Sequence, residues 1–379
     1  MNVDLLRKHI SKYMEFLKNP SESEKEEMES RHERAKYYQS WTKDRILQMR
    51  EEDLYEYIAQ LWALIGWHNK RYVIENIIKD NGLDVIRHQL ASFVWGSDSI
   101  EKRWDNFRNT IKRMGPAMMS EILCHTHPKE NMCWNRRAYV ALNYLGIENL
   151  PRYDYQITGK VYSDLSRICK KIEDELKKAG VPSPNLLTVD YLIWYELQVE
   201  ENLSQIHRKK GKIIPRIEAV DQKSSDFIHD EIRDKLAKIG NFLGFESQTE
   251  RKIAEGSKVD AIWEIMIGNM NIGRIMYVFE VQTKGSIDSL LINLQKALQN
   301  PSVQGVVAVS DEKQLEKIKK EVATMGENFR TKIKYWDYEN VLQVCDNLES
   351  TSDALDRLGL VPKSSDFLEY HSEDAEKAA

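Results

Sequence analysis

The amino-acid sequence predicts an α+β protein in which an all-α N-terminal domain precedes an α/β domain with a mixed central sheet flanked by helices. Residues 1–203 carry apolar residues at spacings of three and four and almost no strand-like alternation, a pattern typical of packed helices. From residue 224 onward, short apolar runs alternate with turn residues and amphipathic stretches. We therefore expect the sheet in the second half of the chain, with helices on its faces.

The composition is that of an ordinary folded protein, and 379 residues are enough for two domains. Because the net charge is −5, any surface that binds nucleic acid must be local. No apolar run reaches the length of a membrane span, and the four unevenly spaced cysteines are typical of a reducing compartment. We expect a cytoplasmic protein without a membrane partner.

Changes in composition along the chain predict the domain boundaries. The predicted segments are a helical DNA-recognition domain (1–203), a basic linker (204–223), an α/β domain (224–346) and an acidic, flexible tail (347–379). Within the linker, Arg208, Lys209 and Lys210 lie in a run that has no acidic residue. Such a run either contacts DNA phosphates or is a solvated surface segment.

The α/β domain is predicted to contain helices and strands in a fixed order. The expected elements are a helix (225–240), a strand (242–249), a hairpin (258–267 and 272–282), a helix beginning after Gly285, a strand (303–309), a helix (311–325) and an edge strand (333–336). An antiparallel hairpin followed by a helical crossover makes a mixed sheet.

Polar residues interrupt the two central strands at positions where packing does not require them. Asp260 opens the second strand, and Glu280, Gln282 and Lys284 follow the apolar run of residues 275–279. Side chains alternate along a strand, so these last three project from one face. Two carboxylates that reach one point from adjacent strands are suited to Mg²⁺, which favours hard oxygen ligands.

This order of elements, with Asp260 opening the second strand and Glu280-Val281-Gln282 closing the third, resembles the PD-(D/E)XK nuclease superfamily over about residues 224–340. The resemblance implies that Asp260 and Glu280 bind Mg²⁺, with Mn²⁺ as an alternative ion. Glu231 matches an acidic residue that many members carry on the preceding helix. Gln295 stands where some members place a further polar residue.

Gln282 departs from the pattern of this superfamily, which usually has Lys at that position. A neutral amide cannot act as a base, although some restriction endonucleases of the superfamily have Glu-x-Gln. Lys284 is one pleat further along the same face and would supply the missing charge. We therefore treat Gln282, Lys284 and Glu231 as candidate catalytic residues together with the two metal ligands, Asp260 and Glu280.

Each of these residues also has a purely structural interpretation. Asp260 could be a hydrogen-bonding residue at the start of a strand, and Glu280 could form an ion pair with Lys284 or Lys258. Glu231 is four residues before Lys235, the spacing of an ion pair on a helix surface.

The helical domain contains a segment, residues 111–123, that resembles helix-hairpin-helix DNA-binding segments. In those segments a glycine turn and the next helix N-terminus hold a DNA phosphate, which makes Gly115 a candidate contact. Pro116 removes one amide donor, and an ordinary turn between helices is the alternative. Most tryptophans of this domain are expected in the core, but Arg136 and Arg137 follow Trp134 and are predicted DNA contacts.

The sequence as a whole favours a Mg²⁺-dependent DNA endonuclease of restriction or defence type, with a homodimer as its candidate assembly and without a small-molecule cofactor. Two alternatives remain: a catalytically silent nuclease fold that only binds nucleic acid, and a helix-hairpin-helix repair protein. A zinc site at Cys124, His125, His127 and Cys133 is not predicted, because their spacing matches no defined zinc finger.

Overall fold

The structure, a computed structural model, divides into two compact units. It describes residues 1–64, 70–197, 222–254, 257–267, 273–283 and 285–357. Described residues up to 197 belong to the first unit, and those from 222 onward belong to the second. Most of the basic linker that the sequence predicts at residues 204–223 lies outside the described residues.

In its described residues, the first unit contains helices and no strand. Its α-helices there are α1 (Val3–Lys18), α2 (Glu22–Gln39), α3 (Lys43–Leu47), α4 (Glu51–Ala59), α5 (Lys70–Asn81), α6 (Leu83–Trp95), α7 (Ile100–Thr110), α8 (Pro116–Thr126), α9 (Arg136–Tyr144), α10 (Gly159–Lys178) and α11 (Leu186–Glu196). Short 3₁₀ turns cover Trp62–Leu64 and Asp154–Gln156. No helix in the described ranges of either unit combines the length and apolarity that crossing a membrane requires.

Local sequence signals and aromatic packing fix these helices. α2 begins at a capping box, in which Ser21 accepts from the amide of Glu24 and the Glu24 carboxylate accepts from the amide of Ser21. In the core, Trp104 stacks on Tyr162 with 4.0 Å between ring centroids. Its indole N–H donates to the carbonyl of Ile157 at 2.9 Å. Trp104 is thus a core residue, as the sequence predicts for most tryptophans of this unit.

The second unit contains the predicted helices and strands in the predicted order. They are α12 (Gln222–Phe242), β1 (Glu246–Ala254), β2 (Ser257–Ile267), β3 (Gly273–Gln282), α13 (Ile287–Ala297), β4 (Val303–Ser310), α14 (Glu312–Ala323) and β5 (Ile333–Asp337). Two further helices, α15 (Glu327–Lys332) before β5 and α16 (Tyr338–Arg357) after it, were not predicted. The sheet order is β1-β2-β3-β4-β5. β1, β2 and β3 pair antiparallel, whereas β3, β4 and β5 pair parallel. The mixed sheet predicted from the sequence is therefore confirmed.

Different helices cover the two faces of this sheet. Ile262 of β2 is buried in an apolar cluster together with Leu290 of α13. The next residue, Trp263, points to the opposite face, where its indole N–H donates to the carbonyl of Leu236 in α12 at 2.8 Å. The ends of β2 and β3 therefore lie between α12 on one side and α13 on the other.

The last helix corrects the predicted start of the flexible tail. Residues 347–357, assigned to that tail from their acidic composition, instead continue α16. Glu349 in this stretch forms an ion pair with Lys238 at 2.8 Å and lies 3.6 Å from Lys235, both on α12. The acidic composition of this stretch predicted a tail. The sequence did not show that the basic partners of Glu349 lie on α12, far earlier in the chain. Residues 358–379 lie outside the described residues.

Substituting Gly240 with alanine tests the packing of α12 on the sheet. Helix propensity alone predicts a gain of about 1 kcal/mol. A Cβ at this position, however, would overlap Ser247 Oγ and the Trp263 ring, and overpacking costs about 1–3 kcal/mol. We expect a net loss in the free energy of unfolding of the second unit, measured by urea denaturation. Gly326→Ala, where a Cβ meets no atom within 4 Å, is the control, and a stabilised Gly240→Ala protein would contradict the packing described.

Candidate metal centre

Asp260 and Glu280 come together where β2 and β3 stop pairing. The antiparallel register pairs Ala261 with Phe279, so the next positions on the two strands are Asp260 and Glu280. The carboxylate of Asp260 accepts a hydrogen bond through Oδ2 from the backbone amide of Val281 at 2.7 Å. The two carboxyl groups also share a hydrogen bond. The juxtaposition that the strand pattern predicts is therefore present.

Helix α12 contributes His229, a residue that no sequence pattern singled out. Its Nε2 lies 3.3 Å from Oδ1 of Asp260. Burial alone would lower the pKa of His229, but the carboxylates of Asp230 and Asp260 outweigh burial and raise it to about 10. The imidazole is thus positively charged at neutral pH and neutralises Asp260. The sequence could not identify His229 as part of this site, because no spacing pattern links position 229 to position 260. Only the fold brings the two residues together.

The two carboxyl groups have opposite pKa shifts. Burial would raise the pKa of Asp260, but the hydrogen bond and charge of His229 and the amide of Val281 more than offset it, so the pKa is lowered. Burial and the charge of Asp260 raise the pKa of Glu280 to about 9. Without a metal ion, the site at neutral pH therefore holds an imidazolium, a carboxylate and a protonated carboxyl group.

Glu280 is 7% exposed, and within the described ranges its carboxyl group has two side-chain partners, Asp260 and, on α13, Asn293. Its Oε1 atom is buried and has no hydrogen-bond partner among the described residues. The superfamily resemblance pointed to Gln295 on this helix, but Gln295 is exposed and Asn293 is the residue that reaches the site. Two positions along a helix change the face, which explains the difference.

Gln282 is buried at the end of β3, on the same face of the strand as Glu280. Its backbone carbonyl accepts from the hydroxyl of Ser310, which anchors β3 to β4. Its side-chain nitrogen lies 3.3 Å from the position that a Cβ on Gly285 would occupy, and Gly285 has a φ of +105°. The amide thus packs under the turn that leads into α13. Lys284, the other candidate on this face, lies outside the described residues.

Glu231 shares α12 with His229 but is half-buried two positions further on. Residues at this spacing face different directions on a helix. Since His229 faces Asp260, Glu231 faces another direction on the helix. The catalytic role that the superfamily resemblance implies for Glu231 stays a prediction. His229 is the residue of α12 whose contact with the carboxylates is established.

A comparison with Glu264 in the same sheet shows how Asp260 and Glu280 differ from a structural ion pair. Glu264 of β2 is also buried, and two guanidinium groups, those of Arg251 and Arg274, form ion pairs with it. Lys258, a possible partner of Glu280, lies instead 3.4 Å from Glu250. At Asp260 and Glu280, one imidazolium serves two carboxyl groups among the residues that the structure describes. With both carboxyl groups ionised, as metal binding requires, these residues would leave the site one positive charge short, unlike the structural carboxylate of Glu264.

The donor set fits a hard divalent cation with few protein ligands. Within the described ranges, no group of three or more His, Cys, Asp or Glu side chains is arranged to hold a metal ion; this covers Cys124, His125, His127 and Cys133. Mg²⁺ commonly binds through one or two carboxylates and completes its shell with water and substrate phosphates. Asp260 and Glu280 meet that requirement, and Glu280 Oε1, unpartnered within the described residues, offers a ligand atom for it.

The predicted DNA contacts of the first unit lie in two different environments. Arg137 lines a cavity beside Trp62, and Arg136 is half-buried next to it in the chain. Gly115 is the N-cap of α8, but the Asp154 carboxylate lies 3.2 Å from the position of a Cβ on Gly115. A negative charge at this turn disfavours a DNA phosphate there.

The predicted linker contacts, Arg208, Lys209 and Lys210, lie outside the described residues. In comparisons with known proteins, no family model, no curated protein and no solved structure matches this chain. The chemistry of the site therefore has to be argued from its own geometry.

The raised pKa of Glu280 predicts a pH-dependent stability. In metal-free protein, the folded state keeps a proton on Glu280 up to about pH 9, whereas the unfolded chain releases it near the ordinary glutamate pKa of 4.5. This contribution to stability is therefore full below pH 4.5 and is lost as the pH rises toward 9. Glu280→Gln cannot ionise, so its free energy of unfolding should fall less steeply between pH 5 and 8. The slope should differ by up to about 1.4 kcal/mol per pH unit.

Urea unfolding in a chelating buffer at several pH values measures this difference. Glu246→Gln, at an exposed position of β1, serves as the control and should keep the wild-type slope. Equal pH slopes for wild type and Glu280→Gln would show that the carboxyl group is not held in its protonated form.

Proposed function

We propose that the second unit is a Mg²⁺-dependent nuclease that hydrolyses DNA phosphodiester bonds, of restriction or defence type. Asp260 and Glu280 are the proposed metal ligands, and the helical unit is proposed to recognise the target. One observation carries the proposal: a buried carboxyl group, that of Glu280, and a half-buried one, that of Asp260, share one point of the sheet with a single imidazolium, and Glu280 Oε1 has no donor among the described residues. The order of helices and strands, which resembles that of the PD-(D/E)XK superfamily, supports the same proposal.

The protonation state of the site is consistent with metal binding. Carboxylates must lose their proton to bind a metal ion, so binding of a cation is linked to proton release. Glu280 carries such a proton at neutral pH. Among the described residues, the cation beside the pair is His229, and it faces Asp260. A divalent ion would supply positive charge to Glu280 without further rearrangement of the sheet.

When bound, Mg²⁺ polarises a phosphoryl oxygen and lowers the pKa of a coordinated water. The residues of the chain have separate tasks. Val281 N–H and His229 fix the orientation of Asp260, and Asn293 fixes that of Glu280. Gln282 is a neutral amide and cannot accept the proton of the attacking water. Its proposed task is to orient neighbouring groups of the site by hydrogen bonding. Neutralising the negative charge of the phosphate requires a cationic side chain, such as that of Lys284.

Gln282 also supports a second candidate function. If the amide in place of the usual Lys removes catalytic power, the fold would bind nucleic acid without cutting it. The two functions differ in a measurable property, because a silent scaffold has no need to bind Mg²⁺ at Asp260 and Glu280.

Cleavage of supercoiled plasmid and of phage DNA tests the proposal. We expect nicking or cutting with Mg²⁺ or Mn²⁺ and none with EDTA. Substituting groups that merely orient metal ligands costs roughly 10–100-fold, so Asp260→Asn and Glu280→Gln, which change the ligands themselves, should lose at least that much activity. Glu246→Gln, an exposed carboxylate of the same sheet, should cut like the wild type.

Calorimetric titration with Mg²⁺ on the same proteins separates the two candidate functions. A nuclease should bind Mg²⁺ in the wild type and in Glu246→Gln but not in Asp260→Asn or Glu280→Gln. DNA binding without cleavage and without Mg²⁺ binding would reject the nuclease and favour the scaffold.

A further inference from the structure

The first unit contains a cavity of about 330 Å³. Its walls come from α1, α2, the turn at Trp62–Leu64, α8, α9 and α11. Small-molecule sites typically measure about 300–1,000 Å³, so the cavity is of the size of a small ligand. All its lining residues belong to the first unit, whereas the carboxylate pair belongs to the second.

Three arginines of this cavity surround one indole ring. The guanidinium carbons of Arg31, Arg34 and Arg137 lie 5.2, 5.1 and 5.3 Å from the centre of the Trp62 ring. Cation–π contacts stabilise each of them individually. Three positive charges around one ring nevertheless repel one another, and they do so more strongly where water is scarce.

Arg31 is fully engaged by the protein. It forms ion pairs with Glu27 and Asp190, both at 2.9 Å. Its guanidinium also lies 5.0 Å from the rings of Tyr191 and Trp194. These contacts make Arg31 part of the framework of the cavity and leave it little capacity for a ligand.

Glu121, another acidic residue of the wall, is also engaged. Its carboxylate accepts from the backbone amides of Trp62 at 2.7 Å and Ala63 at 3.0 Å, and His125 lies 3.7 Å away. Burial would raise the pKa of Glu121, but His125, the charge of Arg34 and the Trp62 amide lower it. Its negative charge thus serves to hold the turn that carries Trp62.

Arg34 is the arginine of this group that the protein leaves uncompensated. In the part of the chain that the structure describes, its guanidinium has the Trp62 ring as a partner but no ion pair, and its buried Nε has no hydrogen bond. Burial lowers its pKa, and the charge of Glu121 only partly offsets this effect. Burying such a cation is costly, so an anionic group in the cavity would remove an unfavourable feature of the empty protein.

The rest of the wall fits a flat, weakly polar group. It includes the rings of Tyr13 and Tyr191 and the apolar side chains of Leu17, Met28 and Pro182. Nucleic-acid bases stack on aromatic rings and on guanidinium planes. The phosphate of a nucleotide matches the arginines, because guanidinium groups bind phosphate oxygens in a two-pronged geometry.

We propose that this cavity binds a single nucleotide, with its phosphate on Arg34 and Arg137 and its base against the aromatic wall. The source of that nucleotide is either a free nucleoside monophosphate or one phosphorylated nucleotide of a nucleic-acid strand, since the two share this chemistry. The proposal does not depend on the nuclease function of the second unit.

Calorimetric titration of the full-length protein tests the proposal with three kinds of probe: 5′-deoxynucleoside monophosphates, the matching nucleosides, and inorganic phosphate. At least one monophosphate should bind, and about tenfold or more tighter than its nucleoside or phosphate, because hydrogen bonds to charged groups contribute at least that factor. Arg34→Met and Arg137→Met should each weaken that binding about tenfold or more. Arg71→Met changes an exposed arginine and should bind like the wild type.

The stability of the variants distinguishes a binding role from a structural one. Because Arg34 is half-buried, with a buried Nε that has no hydrogen bond and no ion pair among the described residues, Arg34→Met should unfold at the same temperature as the wild type or higher in the absence of nucleotide. At the same concentration, added monophosphate should raise the unfolding temperature of the wild type more than that of Arg34→Met.

A hexathymidylate with and without a 5′-phosphate identifies the source of the nucleotide. Phosphate-dependent binding of the oligonucleotide that is lost in Arg34→Met supports a nucleotide within a strand, and binding of free monophosphates alone supports a free ligand. The proposal is overturned if neither binds, if inorganic phosphate binds as tightly as the monophosphates, or if Arg34→Met and Arg137→Met keep wild-type affinity.

Discussion

Taking a carboxylate out of water costs several kcal/mol unless a cation or several donors compensate it, and at one end of its sheet the second unit buries the carboxyl group of Glu280 and half-buries that of Asp260. Asp260 meets the cost through His229 and the Val281 amide. Glu280 meets it by keeping a proton. Much of the surrounding structure can be understood as support for this pair: α12 supplies the imidazole, α13 supplies Asn293, and the end of β2–β3 pairing leaves an amide free for Asp260.

The change from antiparallel to parallel pairing explains why the pair lies where it does. β3 is the strand at which the change occurs, since it pairs antiparallel with β2 and parallel with β4. The chain must therefore leave the sheet after Gln282 and return through α13. The turn at Gly285, with its positive φ, starts this crossover. A side chain at the end of β3 is thus surrounded by a strand end, a turn and a helix.

The sequence predicted the elements whose signal is local. The apolar run before Glu280 and the turn residues of the hairpin predicted β2 and β3. From these strands the sequence then predicted that Asp260 and Glu280 lie close together. His229 could not be predicted, because its contact joins a helix and a strand that are 31 positions apart and of unrelated pattern. Asn293 was not singled out, because the rotation of α13 about its axis depends on how its apolar residues pack.

The cavity of the first unit could not be predicted either, because it is formed by residues that are far apart in the sequence. Arg34 and Arg137 are far apart in the sequence, and only the fold brings both to Trp62. Arg137 was selected for a basic and aromatic neighbourhood in the chain, whereas the ring that it contacts in the fold is that of Trp62. The pattern of basic and aromatic residues along the chain therefore singled out Arg137, but it did not show that this side chain contacts the ring of Trp62.

The position of α16 has a practical consequence for experiments on the second unit alone. Val341, Leu342 and Cys345 of this helix are buried, and its Glu349 balances the positive charges of Lys235 and Lys238. An expression fragment cut at residue 346, where the nuclease-like pattern ends, would remove the last turns of the helix and take from the two lysines on α12 their common partner. Fragments intended for crystallisation or nuclear magnetic resonance should therefore extend through Arg357.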